Sequence, residues 1–106
     1  NTTRGLFGGG NPGSPSAIDT IDYITISSLG DAIDFGDCTV TRWLSAGVAS
    51  ATRGIFGGGY FPSPAATRDT LDYVTIASTG NATDFGNLTA ANRSVGAVAD
   101  TNGGLG

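Results

Sequence analysis

Residues 53–59 read Arg-Gly-Ile-Phe-Gly-Gly-Gly, and residues 4–10 repeat this stretch with Leu6 in place of Ile55. Two more pairs of segments recur at nearly the same spacing: residues 19–26 with 69–76, and residues 30–36 with 80–86. A period of about fifty residues is typical of proteins built from tandem structural repeats. The sequence therefore predicts two copies of one unit.

The composition of the 106-residue chain favours strands over helices. There are 18 glycines, and the 9 acidic and 5 basic residues are all aspartate and arginine. Lysine, glutamate and glutamine, which are good helix formers, do not occur. The many threonine, isoleucine and aromatic residues suit strands instead. We therefore expect an all-β fold.

Charge and hydropathy exclude two classes of partner. A net charge of −4 with only 13% charged residues argues against nucleic acid. No apolar run in the sequence approaches the roughly 18 residues that a membrane-spanning helix needs. We expect neither nucleic acid nor a membrane as a partner.

Short β-branched and aromatic runs, bounded by glycine or proline, predict eight strands. They lie at residues 4–9, 20–27, 32–38, 45–50, 53–58, 70–77, 82–88 and 94–99. Residues 60–68 contain two prolines and show no periodicity, so a loop is expected there. Because stacked repeats offer the same apolar face in turn, recurring aromatic residues should be buried at equivalent places. These residues are Phe7 and Phe56, Tyr23 and Tyr73, and Phe35 and Phe85.

The order of residues within one unit resembles the kelch repeat. Both have a hydrophobic residue before Phe-Gly-Gly, an irregular loop, a tyrosine strand, one further strand, and an arginine before a small-residue strand. Phe35 and Phe85 stand near the place where kelch repeats carry a tryptophan. The glycine-rich units are also similar to tandem repeats of bacteriophage virion and tail-appendage proteins. The resemblance implies two kelch-like four-stranded antiparallel propeller blades and brings no catalytic residues.

The predicted strands divide the chain into three parts. Residues 1–44 (repeat 1) supply the second to fourth strands of one blade, and residues 45–93 (repeat 2) supply a complete blade. Residues 94–106 supply a spare first strand and a tail. Because propellers need about four to eight blades, the spare strand should pair with strand 4–9 of another copy or of a further repeat. The residues expected at this contact are Arg4, Leu6, Phe7, Val95 and Val98.

Most catalytic constellations lack the residues that they need, because the chain has no histidine, glutamate or lysine. The Gly-Gly-Gly runs are not followed by Lys-Ser/Thr, as a phosphate-binding loop would be. The single cysteine, Cys38, is expected to be a small buried apolar residue. We expect neither enzymatic activity nor a cofactor.

Two groups of side chains allow either a binding role or a structural one. The first consists of carboxylates that could hold Ca²⁺ or serve turns and strand edges: Asp31, Asp34, Asp37 and Asp84. The second is an aromatic loop with Tyr60, Phe61 and Arg68, which could stack on a sugar ring or pack against the neighbouring blade.

Asp22 and Asp72 each precede a repeated tyrosine. We expect them to bond to backbone groups or to Arg4 and Arg53, because an arginine fork matches a carboxylate and also stacks on aromatic rings.

These observations predict a non-catalytic structural repeat of an extracellular or virion protein, such as a tail appendage or fibre, which self-associates through strand donation. Its partners are then copies of itself or further repeats of the same chain. The alternative is a carbohydrate- or receptor-binding module, with a cell-surface glycan as its partner.

Overall fold

The computed structural model describes residues 1–13, 16–62 and 64–99. The all-β prediction is confirmed: the structure is built from antiparallel sheets. The strands are β1 (Arg4–Gly10), β2 (Ile18–Thr25), β3 (Ile33–Asp37), β4 (Ala46–Ala49), β5 (Arg53–Gly57), β6 (Tyr60–Pro62), β7 (Ala65–Thr75) and β8 (Thr83–Asn92). Within the described ranges no helix is long and apolar enough to cross a membrane.

The strands of each repeat form a sheet of their own. In repeat 1 the order is β1-β2-β3, so β1 and β3 are the two edges. In repeat 2 the order is β4-β5-β7-β8, a four-stranded meander, and the short β6 adds to the beginning of β7. Repeat 1 therefore has the counterparts of β5, β7 and β8, and its sheet has no counterpart of β4.

The predicted loop at residues 60–68 is wrong, because β6 and the start of β7 form a hairpin there. Tyr60 pairs with Thr67, and Pro62 pairs with Ala65 at the hairpin end. Proline is tolerated in this place because it closes a three-residue edge strand, where its missing N–H is not needed by a further neighbour. On the other side of β6, the backbone of Tyr60 exchanges hydrogen bonds of 2.8 and 3.0 Å with Trp43.

The predicted strand at 94–99 is also wrong for this chain. Its residues have no strand assignment, and Val98 is 96% exposed. A strand needs a partner edge, and none of the described strands pairs with this segment. Residues 100–106, the rest of the proposed spare strand and tail, lie outside the described residues.

Strand alternation gives each repeat two different faces, since successive side chains point to opposite sides of a sheet. We call the face that carries the repeated tyrosine the front face. It holds Leu6, Ile21, Tyr23 and Phe35 in repeat 1, and Ile55, Leu71, Tyr73 and Phe85 in repeat 2. The back face holds Phe7, Asp22, Ile24 and Ile26 in repeat 1, and Phe56, Asp72, Val74 and Ile76 in repeat 2.

The core lies between the front face of repeat 1 and the back face of repeat 2. Its buried members come from both repeats: Ile21, Phe35, Cys38, Phe56 and Val74. Burying apolar side chains of this size typically contributes about 1.5–3 kcal/mol each, so this interface holds the two sheets together.

Because the two repeats contribute opposite faces, the prediction of equivalent aromatic burial is wrong for two of the three pairs. Phe56 is 7% exposed and its counterpart Phe7 is 60% exposed. Phe35 is 3% exposed and its counterpart Phe85 is 50% exposed. Equal burial would require each repeat to have a neighbour on both faces, and each has only one within the described chain.

The outer edge of β3 is closed by residues 80–82 of repeat 2. The N–H groups of Gly80 and Ala82 donate to the carbonyl oxygens of Phe35 and Asp37, both at 2.8 Å. Gly36 is required at this contact, since a Cβ there would lie 2.3 Å from the Gly80 carbonyl oxygen. This close approach sets the distance between the two sheets.

Candidate functional site

The outer edge of β1 is the main candidate site. No strand of the described chain pairs with it on that side. A groove of about 390 Å³ lies beside it, between Arg4 and Leu6 of repeat 1 and residues 47–49 of β4. Small residues of β4 form one wall, and larger side chains, among them Leu6 and Phe56, form the rest. An unpaired edge presents a row of N–H and C=O groups that another chain can use.

The five residues predicted at an assembly contact do not come together within one chain. Arg4 and Leu6 already serve the internal interface: Arg4 Nη1 donates to the Ile76 carbonyl oxygen at 2.8 Å, and Leu6 packs against the core. Phe7 is exposed on the back face. Val95 is half-buried near Gly58, in repeat 2, and does not line the groove beside β1. The two groups are therefore not in contact within the described residues.

A buried ion pair connects the repeats. Arg42 and Asp72 are both fully buried, and Arg42 Nη2 lies 2.5 Å from Asp72 Oδ2. Arg42 also donates to the carbonyl oxygens of Gly58 and Thr70, at 3.1 and 2.9 Å. Thr39 donates its N–H and its hydroxyl to the Asp72 carboxylate. These bonds compensate the removal of both charges from water, which is costly without them.

The predicted pairing of Asp72 with Arg53 is wrong. Asp72 and Tyr73 are neighbours on one strand and point to opposite faces, and Arg53 lies on the face of the tyrosine. Its guanidinium carbon is 4.6 Å from the centre of the Tyr73 ring, and Arg4 lies 4.5 Å from that of Tyr23. The stacking on tyrosine is thus confirmed, and so is the expected bond of Asp72 to a backbone group, the Thr39 N–H, whereas its arginine partner is Arg42.

The aromatic residues of the β6 hairpin are engaged in packing. The Tyr60 ring stacks on Trp43, with centroids 5.8 Å apart, and the Arg93 guanidinium lies 4.5 Å from its centre. Arg68 lies 5.3 Å from the centre of the Phe61 ring. Both rings are half-buried. These contacts favour the packing role over sugar stacking, which stays a prediction.

No protein-family model matches the chain, and no curated protein matches it.

The aspartates proposed as metal ligands are spread along exposed backbone. Asp34 and Asp37 belong to β3, Asp31 precedes it, and Asp84 lies on β8. In the part of the chain that the structure describes, no three aspartate or cysteine side chains are grouped closely enough to hold a metal ion. The geometry favours the alternative, in which these residues serve strand edges.

Sequence reasoning missed Arg42 because it has no match in the other repeat. Arg42 and Asn92 are structurally equivalent, since their carbonyl oxygens accept from Gly10 and Gly59 at 2.9 and 2.8 Å. The usable signal was strand alternation, because it places Asp72 on the face opposite the tyrosine and so excludes Arg53 as its partner.

Cys38 is buried at 5% exposure, as predicted, and we expect it to react slowly. Burial raises the pKa of the Cys38 thiol, and the nearby Arg42 charge only partly opposes this. At pH 8, iodoacetamide should alkylate the folded chain at least about a hundredfold more slowly than the urea-unfolded chain, because the thiolate is the nucleophile. Mass spectrometry of timed samples measures both rates, and equal rates would contradict the burial.

The same shift predicts how stability depends on pH. The folded chain holds the Cys38 proton at pH values where the unfolded thiol has ionised. The associated stability is therefore complete below a pH of about 8.5 and is lost as the pH rises through the folded pKa.

Proposed function

We propose that the chain is a non-catalytic assembly repeat, made of kelch-like propeller blades, whose copies join by strand donation. Residues 95–99 of one copy add to the outer edge of β1 in the next copy. The observation that carries this proposal is the outer edge of β1, which no described strand pairs, beside an open groove whose β4 wall consists of small residues. The resemblance to phage appendage repeats supports an extracellular or virion setting.

Repeat 2 supplies the geometry of the donated strand. There β4 pairs with β5 in a register that places Gly47 opposite Phe56 and Val48 opposite Ile55. Residues 94–99 read Ser-Val-Gly-Ala-Val-Ala, and residues 45–50 read Ser-Ala-Gly-Val-Ala-Ser. Transferring the register to repeat 1 places Gly96 opposite Phe7 and Ala97 opposite Leu6. The donated strand thereby supplies repeat 1 with the fourth strand that repeat 2 already has.

Removing residues 94–106 should abolish self-association, which sedimentation velocity measures over micromolar concentrations. Ala97→Pro is the milder version. Ala97 is exposed, so proline there should leave the fold intact. It corresponds to Val48, whose N–H faces β5, because the Ser50–Arg53 pair is hydrogen-bonded and such pairs alternate along an antiparallel ladder. Proline at this place removes a ladder bond to β1. Strand donation is wrong if the full chain is folded and monomeric in this range, or if Ala97→Pro associates as strongly as the unchanged chain.

The register can be tested by disulfide trapping. Phe7→Cys together with Gly96→Cys should yield covalent dimers and longer ladders on mild oxidation, because the two positions face each other across the donated strand. Phe7→Cys with Ala97→Cys is the matched control, since a shift by one residue turns the side chain to the other face. Non-reducing gel electrophoresis reads out both, and equal cross-linking of the two pairs would rule out this register.

A further inference from the structure

The two exposed faces of the chain are copies of the two faces that it buries. Inside the chain, the front face of repeat 1 packs on the back face of repeat 2. The front face of repeat 2 and the back face of repeat 1 have no sheet packed against them among the described residues. Large apolar side chains are exposed on both: Phe85 on the first, and Phe7 and Ile26 on the second. Contiguous exposed apolar surface of this kind marks an interaction site.

We infer that a second copy of the chain docks the back face of its repeat 1 onto the front face of repeat 2, and so reproduces the internal interface between chains. This inference rests on the proposed function for the identity of the partner. It adds a side-chain contact that is separate from backbone pairing. The faces are different from each other, so the contact is head-to-tail.

The exposed faces carry an arginine in the same position as the arginine that crosses the internal interface. Arg4 is held over Tyr23 and donates to the Ile76 carbonyl oxygen of the other repeat. Arg53 is held over Tyr73 at nearly the same distance. The carbonyl that corresponds to that of Ile76 belongs to Ile26, on the exposed back face. Arg53 of one copy is therefore in position to donate to Ile26 of the next.

The exposed faces also carry the two glycines that a close approach between copies would need. Gly86 and Gly30 correspond to Gly36 and Gly80, which touch inside the chain, and a Cβ at either would meet no atom within 4 Å. The hydrogen bond beside that contact runs from the Asp37 N–H to Asn81 Oδ1 at 3.0 Å.

The counterpart of this hydrogen bond would run from the N–H of Asn87 in one copy to a carboxylate oxygen of Asp31 in the next. Both partners have the donor and acceptor that this bond needs.

Two small adjustments accompany docking. Phe56 covers Gly8, where a Cβ would lie 2.8 Å from its ring, and Phe7 would cover Gly57 in the same way. The end of the Leu71 side chain now lies over Gly57 and has to rotate, a change that is common at interfaces. Residues 95–99 run beside the front face of repeat 2, where Ala99 lines a cavity of about 260 Å³ with Phe85, and strand donation removes them.

The buried ion pair has no full counterpart at the outer contact, which predicts that the interface between chains is weaker than the interface within a chain. The counterparts of Asp72 and Thr39 are Asp22 and Thr89, but the counterpart of Arg42 is Asn92. Asp22 would thus be buried between copies without a cation. The removal of its charge from water is then less well compensated than that of Asp72, so this joint opens first.

Complementation tests the head-to-tail contact. Phe7→Thr damages only the exposed back face, and Phe85→Thr damages only the exposed front face, while threonine keeps a good strand former in each place. Each variant alone should lose association by at least about thirtyfold, as for the loss of a central aromatic anchor. Mixed together, they should form a one-to-one complex, since the first keeps an intact front face and the second an intact back face. Sedimentation velocity on separate and mixed samples measures this.

Leu44→Ser is the matched control. Leu44 is an exposed apolar residue outside both faces, at 49% exposure, and its counterpart is Ser94 with nearly the same backbone angle. It should associate like the unchanged chain. If Phe7→Thr and Phe85→Thr also associate normally while deletion of residues 94–106 abolishes association, the face contact is wrong and strand donation stands. If the two variants lose association but do not complement each other, the contact is not head-to-tail and the inference is wrong.

A gain of association provides the second test. Asn92→Arg should restore the missing cation opposite Asp22 of the next copy and tighten association by about tenfold or more. The gain should disappear when Asp22→Asn is added. Misfolding cannot produce a gain that depends on one carboxylate in the partner. An unchanged or weakened association of folded Asn92→Arg would overturn the inference.

Discussion

Replacing Arg42 with methionine is expected to lower the free energy of unfolding by about 3–5 kcal/mol, because Asp72 is left charged and buried without its cation. Two carbonyl oxygens, those of Gly58 and Thr70, lose their donor at the same time. For a domain of this size, such a loss lowers the melting temperature by tens of degrees, on the order of 4–8 °C per kcal/mol. Urea unfolding of dilute, monomeric protein followed by circular dichroism measures it.

Two further variants distinguish the loss of the ion pair from a general loss of packing as the cause of the lower stability. Asp22→Asn changes the counterpart carboxylate, which lies on the exposed back face, and should cost less than about 0.5 kcal/mol. Arg42→Met combined with Asp72→Leu should recover a large part of the loss, since a buried pair replaced by apolar residues is often neutral in stability. An unchanged unfolding midpoint in Arg42→Met would show that the pair does not hold the repeats together.

Phe56→Ala is expected to cost about 3–5 kcal/mol, the usual range for truncating a buried phenylalanine. Its ring fills the space above Gly8 at the centre of the internal interface. Phe7→Ala removes the equivalent ring of repeat 1, which is 60% exposed, and should cost less than about 1 kcal/mol in the monomer. Denaturant titration of both variants below the association range measures the difference.

The comparison tests the assignment of faces, since the two residues occupy the same place in the repeated sequence. Equal costs would mean that the two repeats are buried alike and that the front-to-back packing is wrong. A large cost for Phe7→Ala alone would mean that the faces are exchanged.

Local pattern was sufficient to predict most of the strands and insufficient to predict which faces are buried. Seven of the eight predicted strands are present, because glycine and β-branched residues mark their bounds directly. Residues 95–99 have the same strand pattern but lack a partner edge, and a strand depends on its neighbour as well as on its residues. The β6 hairpin was missed because proline at the end of an edge strand looks like a loop signal.

The site could be predicted only where the two repeats agree. The stacking of Arg4 and Arg53 on tyrosines follows from residues present twice. The ion pair of Arg42 and Asp72 depends on a contact between repeats, and one partner comes from a connection without a match. Sequence comparison within the chain shows what the repeats share, whereas packing between them is decided by where they differ.

The cap that residues 80–82 place on β3 also has a consequence for aggregation. A free sheet edge invites indiscriminate pairing with other chains, from which amyloid-like growth begins. Two backbone hydrogen bonds and the side chain of Asn81 occupy the outer edge of β3, so the sheet of repeat 1 cannot grow there. Among the described residues, the other edge of this sheet, that of β1, has no strand beside it. The cap therefore prevents the sheet of repeat 1 from growing at both edges, and any added strand can extend it in one direction.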